Sequence, residues 1–214
     1  MEAEKITLKT LAAALAAILI SEALIRPALT AVSVSPLSGL GITRIVEIIL
    51  LIFITLRFEK STANLGLVPA ELSAGIQKGL IWSACFGFAA IVLTGVLYLA
   101  GINALRLLET PLPDSVVSIF LYLLIGVGIG PLAEEILFRG IVYGYLRRWG
   151  VFVAVAVSTL LFVLPHLSGS NLPVTQLVGG IVFALAYEKE DNLMVPITVH
   201  CLGNLAIFSI ALIA

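Results

Sequence analysis

Long apolar runs separated by short polar stretches dominate the hydrophobic pattern of this chain. A helix needs about 20 mainly apolar residues to cross a membrane, and more when it is tilted. Seven segments approach that length: 8–26, 39–56, 77–101, 115–147, 151–168, 172–187 and 193–213. The pattern therefore predicts an all-α fold, a polytopic membrane helix bundle of about seven, or eight, transmembrane helices.

The fourth segment is too long for one straight crossing, and its glycines lead up to Pro131. Proline inside a helix removes a backbone donor and kinks or breaks the helix. We therefore expect the helix to break or bend at Gly130–Pro131, inside the membrane. Non-helical backbone is tolerated at that depth only where protein or a water-filled cavity surrounds it.

The remaining sequence suggests one membrane domain. Lys5 and Lys9 precede the first apolar run, as in a signal peptide, but charged residues and a proline follow it without a small-residue cleavage site. We favour a first membrane helix. The polar connections 57–76 and 102–114 are the longest, and no repeat or low-complexity tract divides the chain. A single transmembrane domain over 1–214 is the prediction.

The composition agrees with a lipid environment. Hydrophobic residues make up 60% of the chain and charged residues only 12%, whereas soluble domains carry about 25% charged residues. The formal net charge is −1, and no basic patch in the sequence suggests binding to nucleic acid. Cys85 and Cys201 lie in apolar segments, which is typical of small buried residues rather than of a disulfide framework.

Basic residues predict how the chain is oriented, because they favour the cytoplasmic side. With seven crossings and a cytoplasmic N-terminus, eight basic residues lie inside and three outside, while Arg139 remains within the membrane. The inner set is Lys5, Lys9, Arg57, Lys60, Lys78, Arg147, Arg148 and Lys189, and the outer set is Arg26, Arg44 and Arg106.

Three charges interrupt the fourth segment in the stretch PLAEEILFRG. An ionisable side chain at the bilayer centre costs about 2.5–3.5 kcal/mol on insertion scales. Glu135 and Arg139 are four residues apart and share a helix face, which predicts an ion pair with a structural role. Glu134 is rotated by about 100° and has no evident cation. A buried carboxylate without a cation suits acid–base chemistry near neutral pH, so we expect Glu134 to do the chemistry.

Both histidines also lie in apolar segments. His200 and Asn204 are four residues apart and share one helix face. Measured along their helices from the turn at 149–150, Glu134 and His166 lie about 21 and 22 Å deep. If these helices are antiparallel neighbours, Glu134 faces His166 in one polar site, which water must reach through a cavity.

The polar residues of the apolar segments also allow a purely structural interpretation. A lone histidine in a membrane helix often serves only to form a hydrogen bond that holds two helices together. Ionisable residues on three helices favour a functional site instead. Glu22, Arg44 and Glu47 lie in or near the first two segments, where we interpret them as snorkelling or locally paired charges.

Three kinds of chemistry fit a Glu, His, His and Asn set. Glu134 and His166 could activate water for hydrolysis while His200 and Asn204 stabilise an oxyanion. Histidines and a carboxylate could bind zinc, although no HExxH motif is present. A transporter could use the same groups as a proton relay. A GxSxG nucleophile motif is absent from the sequence.

Three motifs in order resemble those of the CPBP family, the CAAX proteases and bacteriocin-processing or self-immunity proteins, also called the Abi family. They are EEILFR, with the pattern EExxxR from Glu134 to Arg139, FVLPH from Phe162 to His166, and HCLGN from His200 to Asn204. The segment NLGLVP, 64–69, is similar to a feature that precedes the family's core. The resemblance covers about residues 64–207.

This resemblance implies an intramembrane endopeptidase of the glutamate type, working without metal, with zinc as the less favoured alternative. Glu134 and His166 would activate the water, and His200 and Asn204 would form the oxyanion hole. The supporting residues would be Glu135, Arg139 and Phe162.

The resemblance also implies partners and a location. Expected partners are membrane lipid and a peptide or prenylated protein substrate, and the active site would open to the cytosol. We expect a prokaryotic plasma membrane with the N-terminus in the cytoplasm. The family also includes proteins that suggest a second function, a non-catalytic membrane immunity or regulatory protein. Neither the substrate nor the oligomeric state follows from these motifs.

Overall fold

The computed structural model describes residues 5–108, 110–167 and 173–213. Each of the seven apolar segments forms a helix there, and no strand occurs among the described residues, which confirms the all-α membrane bundle. The predicted end of the fifth segment at 168 and start of the sixth at 172 lie outside those residues. The helices are α1 (Leu8–Ala31), α2 (Pro36–Glu59), α3 (Leu72–Leu99), α4 (Val116–Trp149), α5 (Val151–His166), α6 (Val174–Glu190) and α7 (Met194–Ile213).

Five of these helices are long and apolar enough to cross a membrane: α1, α2, α3, α4 and α7. The helix α5 is apolar but shorter, and α6 has 17 residues, fewer than the length of about 20 that a straight crossing needs. Large apolar side chains such as Phe88, Leu99 and Phe152 face outward. An outer surface of this kind is stable in lipid, as the sequence predicts, while the number of crossings stays a prediction.

A break at Gly130–Pro131 is wrong, because α4 remains helical through both residues, while a bend there stays a prediction. The turn before them, Leu124–Ile129, is π-helical, and the N–H of Gly130 donates to the carbonyl of Ile125, five residues back. Pro131 has no N–H to donate, and the π-turn before it continues the helix with bonds that reach five residues back. A second π-helical stretch, Ile136–Tyr143, follows the two glutamates.

Glycines allow the helices around the site to approach closely. The helix α7 packs against α3, α4 and α6, and α5 packs against α6 and α4. A Cβ atom on Gly79 of α3 would lie 2.5 Å from the Cβ of Thr198 on α7. A Cβ on Gly180 of α6 would lie 2.9 Å from the Cγ2 of Thr159 on α5. Small residues at such positions are how membrane helices come into close contact.

One end of the bundle is closed by contacts between segments that are distant in sequence. We call this end the base, and it comprises residues 5–7, 62–67, 147–150 and 187–193. Lys5 Nζ pairs with Asp191 Oδ1 at 2.6 Å, and the N–H of Leu193 donates to the carbonyl of Gly66 at 3.0 Å. Gly66 has φ of +72°, which a residue with a side chain rarely adopts. The NLGLVP segment therefore fastens the helix ends together.

Candidate active site

Glu135 and Arg139 form the predicted ion pair in the centre of the bundle. Both side chains are fully buried, and Arg139 Nη1 lies 2.9 Å from Glu135 Oε1. Arg139 also donates from Nη2 to the carbonyl of Gly180 at 3.1 Å, and its guanidinium lies over the rings of Phe162 and Phe183. The pair thereby connects α4 to α5 and α6, which is a structural role.

His200 lies between the two glutamates. Its Nδ1 is 2.8 Å from Glu135 Oε1, and its Nε2 is 3.7 Å from Glu134 Oε2. An ionised carboxylate only accepts hydrogen bonds, so Nδ1 of His200 carries the proton that joins it to Glu135. The Nε2 atom then faces Glu134 at a distance beyond hydrogen bonding. Glu135 thus orients the imidazole ring and fixes its tautomer.

The two glutamates differ in their access to solvent. The side chain of Glu135 is 0% exposed and is engaged by Arg139 and His200, whereas that of Glu134 is 21% exposed. A carboxylate must meet water to exchange a proton with it. Only Glu134 of the pair can do so.

His166 has a different neighbour from the one expected. Its Nδ1 lies 2.9 Å from the carbonyl oxygen of Phe162, which is an acceptor, so Nδ1 donates and Nε2 has a free lone pair. Glu134 makes its closest histidine contact with His200 rather than with His166. The reason is that α7 packs directly on residues 130–135, while the ring of His166 is held by its own helix.

The ring of Phe162 connects the two histidines. Its centroid lies 5.0 Å from that of His166 and 5.8 Å from that of His200. Phe162 is buried and also packs edge-on against Phe138 and Phe183. This phenyl ring therefore sets the separation of the two imidazoles.

Asn204 shares a helix face with His200, as their spacing predicts, and both contact α4. The Nδ2 atom of Asn204 donates to the carbonyl of Gly126 at 2.7 Å, in the π-helical turn. Asn204 thus meets α4 at Gly126, and His200 meets it at Glu134 and Glu135.

The sequence did not single out Phe183, which stacks on His200 with centroids 4.6 Å apart. In the apolar run of α6 it resembles its neighbours, so no pattern separates it from lipid-facing residues. Gly180, whose carbonyl binds Arg139, is equally inconspicuous.

The interpretation of Glu22, Arg44 and Glu47 as locally paired charges is confirmed. Arg44 pairs with Glu22 at 3.2 Å and with Glu47, whose carboxylate is almost completely buried. Arg44 also lies within electrostatic reach of Glu134. The sequence could not show this proximity because α2 is about 90 residues away from Glu134 along the chain.

No group of three or more His, Cys, Asp and Glu side chains is arranged to hold a metal ion within 5–108, 110–167 and 173–213. Of the two carboxylates near His200, Glu135 is already bound by Arg139. Removal of metal by a chelator is therefore the experiment that distinguishes the zinc alternative from the metal-free mechanism.

Comparison with known proteins identifies relatives of the region that carries the motifs. Residues 116–206 match the family described as type II CAAX prenyl endopeptidase Rce1-like. The chain is 39% identical over 83 residues to the membrane-embedded CAAX protease MroQ of Staphylococcus aureus (strain USA300), which covers 36% of this chain and 33% of that protein. These matches confirm the family resemblance that the motifs predict.

A longer match reaches beyond the motifs. The chain is 26% identical over 148 residues to the putative membrane peptidase YdiL of Bacillus subtilis (strain 168), covering 64% of this chain and 60% of that protein. The chain thus spans about one third and about three fifths of the lengths of these two relatives. No solved structure matches it.

Proposed function

From the match of residues 116–206 to the Rce1-like family of CAAX endopeptidases, we propose that the chain is an intramembrane glutamate-type endopeptidase. The observation that carries the proposal is the division between the glutamates: Glu135 is buried and engaged, while Glu134 is accessible and close to His200.

In the proposed mechanism, Glu134 is the general base. Its carboxylate takes a proton from a water molecule, and Nε2 of His166, which has a free lone pair, accepts a hydrogen bond from the same water. The water oxygen attacks the peptide carbonyl carbon and forms a tetrahedral intermediate. The proton on Glu134 then passes to the leaving amine, and the C–N bond breaks.

His200 and Asn204 stabilise the oxyanion in this proposal. Because Nδ1 of His200 donates to Glu135, the ring has a second N–H to donate only as an imidazolium. In this proposal, the imidazolium form of His200 donates from Nε2 to the oxyanion. Asn204 donates one N–H to Gly126 and retains the other for the oxyanion. A preorganised donor of this kind contributes about 10²–10³ in kcat.

The substrate, by analogy with the names of the relatives, is a membrane peptide or protein with a prenylated CAAX end, or an unprenylated peptide. The surrounding lipid is the second partner, and the location is a bacterial plasma membrane with the base in the cytoplasm. The accessible Glu134, lying between helices rather than at an end of the bundle, supports cleavage within or near the membrane.

The test compares membranes of cells that express the wild type, Glu134→Gln or the exposed-site control Glu71→Gln. We expect new peptide ends in the membrane proteome with the wild type and with Glu71→Gln, and a loss of about 10²–10⁴-fold in cleavage with Glu134→Gln. Purified protein in lipid is then given a prenylated and an unprenylated CAAX peptide. Peptide ends that do not depend on Glu134 would contradict the mechanism, and biological activity that Glu134→Gln retains would favour a non-catalytic immunity or regulatory role.

A chelator separates the metal-free mechanism from the zinc alternative. We expect cleavage by the purified protein to continue unchanged after dialysis against a strong chelator, since the proposed steps use only side chains. Activity that disappears on dialysis and returns with zinc, together with bound zinc that His166→Ala abolishes, would establish the metal-dependent form.

A further inference from the structure

The carbonyl oxygen of Gly126 is the acceptor of an unusual bond in the middle of a membrane helix. It receives the side-chain N–H of Asn204, which is 78 residues away in sequence, at 2.7 Å. Backbone carbonyls inside a helix are normally occupied by N–H groups of the same helix. A carbonyl oxygen has two lone pairs, so whether Gly126 keeps a helical partner depends on the N–H groups four and five residues later.

Gly130 and Pro131 leave that carbonyl without a helical partner. In a helix, the N–H that reaches Gly126 comes from residue 130 in an α-turn or from residue 131 in a π-turn. Gly130 donates to the carbonyl of Ile125 instead, and Pro131 has no N–H. The π-turn thus leaves one carbonyl free, and Asn204 binds to it.

Glycines make this turn accessible to α7. A Cβ atom on Gly126 would lie 2.7 Å from Cε2 of Phe208, which is four residues after Asn204 on the same face of α7. A Cβ on Gly130 would lie 2.9 Å from the carbonyl oxygen of Ile125. Gly128, in the same turn, has nothing within 4 Å of such an atom. Two of the three glycines are thus required by close contacts, and the third provides a matched control.

We infer that Pro131 and Gly126 are positioning residues for Asn204: together they provide the free carbonyl that fixes the side-chain amide. The amide group has two N–H donors in one plane. When one is bound to Gly126, the direction of the other is set, and it can point at the oxyanion. This inference rests on the proposed function, since it assigns the second N–H a role in catalysis.

Pro131→Ala tests the inference because alanine restores the backbone N–H that can occupy the Gly126 carbonyl. We expect kcat to fall by up to about 10²-fold, the effect of losing one oxyanion donor, with KM unchanged. Gly126→Ala, which pushes Phe208 away, should act in the same direction. Gly128→Ala should leave both constants at wild-type values.

A double-mutant cycle with Asn204→Ala shows whether the effect passes through Asn204. Pro131→Ala and Gly126→Ala should cause no further loss of kcat once Asn204 is alanine. An equal loss in both backgrounds, or full activity of the two single variants, would overturn the inference. If the wild type cleaves nothing, the proposed function fails instead.

The hydrogen bond from Asn204 to the Gly126 carbonyl can also be observed without an activity measurement. The side-chain amide of Asn204, labelled with ¹⁵N in detergent and assigned by its disappearance in Asn204→Asp, should shift in Pro131→Ala and not in Gly128→Ala. An amide signal that is the same in the wild type, Pro131→Ala and Gly128→Ala would refute the role of Pro131 in this hydrogen bond, whatever the chain cleaves.

Discussion

At the scale of single residues, neighbouring side chains of the same type differ by environment. Glu134 and Glu135 adjoin in sequence, yet one reaches solvent and the other is enclosed by Arg139 and His200. The tautomer of His200 follows from that enclosure, because its Nδ1 faces an acceptor. The charge on Glu135 therefore serves the orientation of a second side chain as well as the neutralisation of Arg139.

Arg139→Gln should destabilise the protein strongly. It leaves the buried carboxylate of Glu135 without its cation, and removing one partner of a buried pair costs about 3–5 kcal/mol. Arg26→Gln is the control, since Arg26 pairs with Glu22 at an exposed position, where a pair contributes about 0–1 kcal/mol. Thermal unfolding in detergent measures both. Similar unfolding temperatures for the two variants would show that the pair at Glu135 has no structural role.

The residues of the candidate site could be singled out in the sequence because charged and imidazole groups are rare in apolar segments. The pair Glu135–Arg139 followed from a four-residue spacing alone. Contacts between helices could not be predicted in this way. Phe183 is one apolar residue among many, so its stacking on His200 left no signal in the sequence. Arg44 lies in another helix, so the sequence did not show that it lies near Glu134.

At the scale of helices, the seven apolar segments became seven helices because each is long, apolar and bounded by polar residues. Of the predicted break or bend in α4, the break did not occur, because the helix continues through Pro131 after a π-turn. Helix packing depends instead on small residues. Gly75 and Gly79 line the face of α3 that meets α7.

Gly79→Ala should destabilise the contact between α3 and α7. The new Cβ would lie 2.5 Å from Thr198 Cβ, and overpacking of this kind costs about 1–3 kcal/mol. Gly87→Ala in the same helix has nothing within 4 Å and should be neutral or slightly stabilising. The unfolding temperatures of the two variants in detergent test the contact. If both alanines behave alike, α3 and α7 are not closely packed at Gly79.

At the scale of the whole molecule, basic residues gather at the base. Lys5, Lys78 and Arg147 each pair there with a carboxylate at the end of α6 or in the turn after it. Arg106, a basic residue that the sequence predicts on the opposite side of the membrane, lies in the connection between α3 and α4. The excess of cations at one end favours a cytoplasmic base.

Cysteine labelling measures this orientation. In a protein with Cys85→Ala and Cys201→Ala, a cysteine at Lys189 should react with an impermeant thiol reagent only in inverted membrane vesicles. A cysteine at Leu105 should react only in intact cells, since both positions are exposed and lie at opposite ends. The reverse pattern would place the base, and the N-terminus with it, outside the cytoplasm.

The contacts of the base also govern the order in which the chain can mature during synthesis. Lys5 can pair with Asp191 only after 186 further residues have been made. The carbonyl of Leu65 can accept from the hydroxyl of Tyr187 only after 122 further residues. At a translation rate of about 5–20 residues per second, the first of these delays lasts about 10–40 s. Before the turn after the sixth helix has been made, Lys5 lacks its carboxylate, although Thr7 can already bind Glu59 and Ile6 can already bind Arg148. A chain that stops before Tyr187 therefore lacks both contacts, and its base stays open between the N-terminal segment and the end of α6.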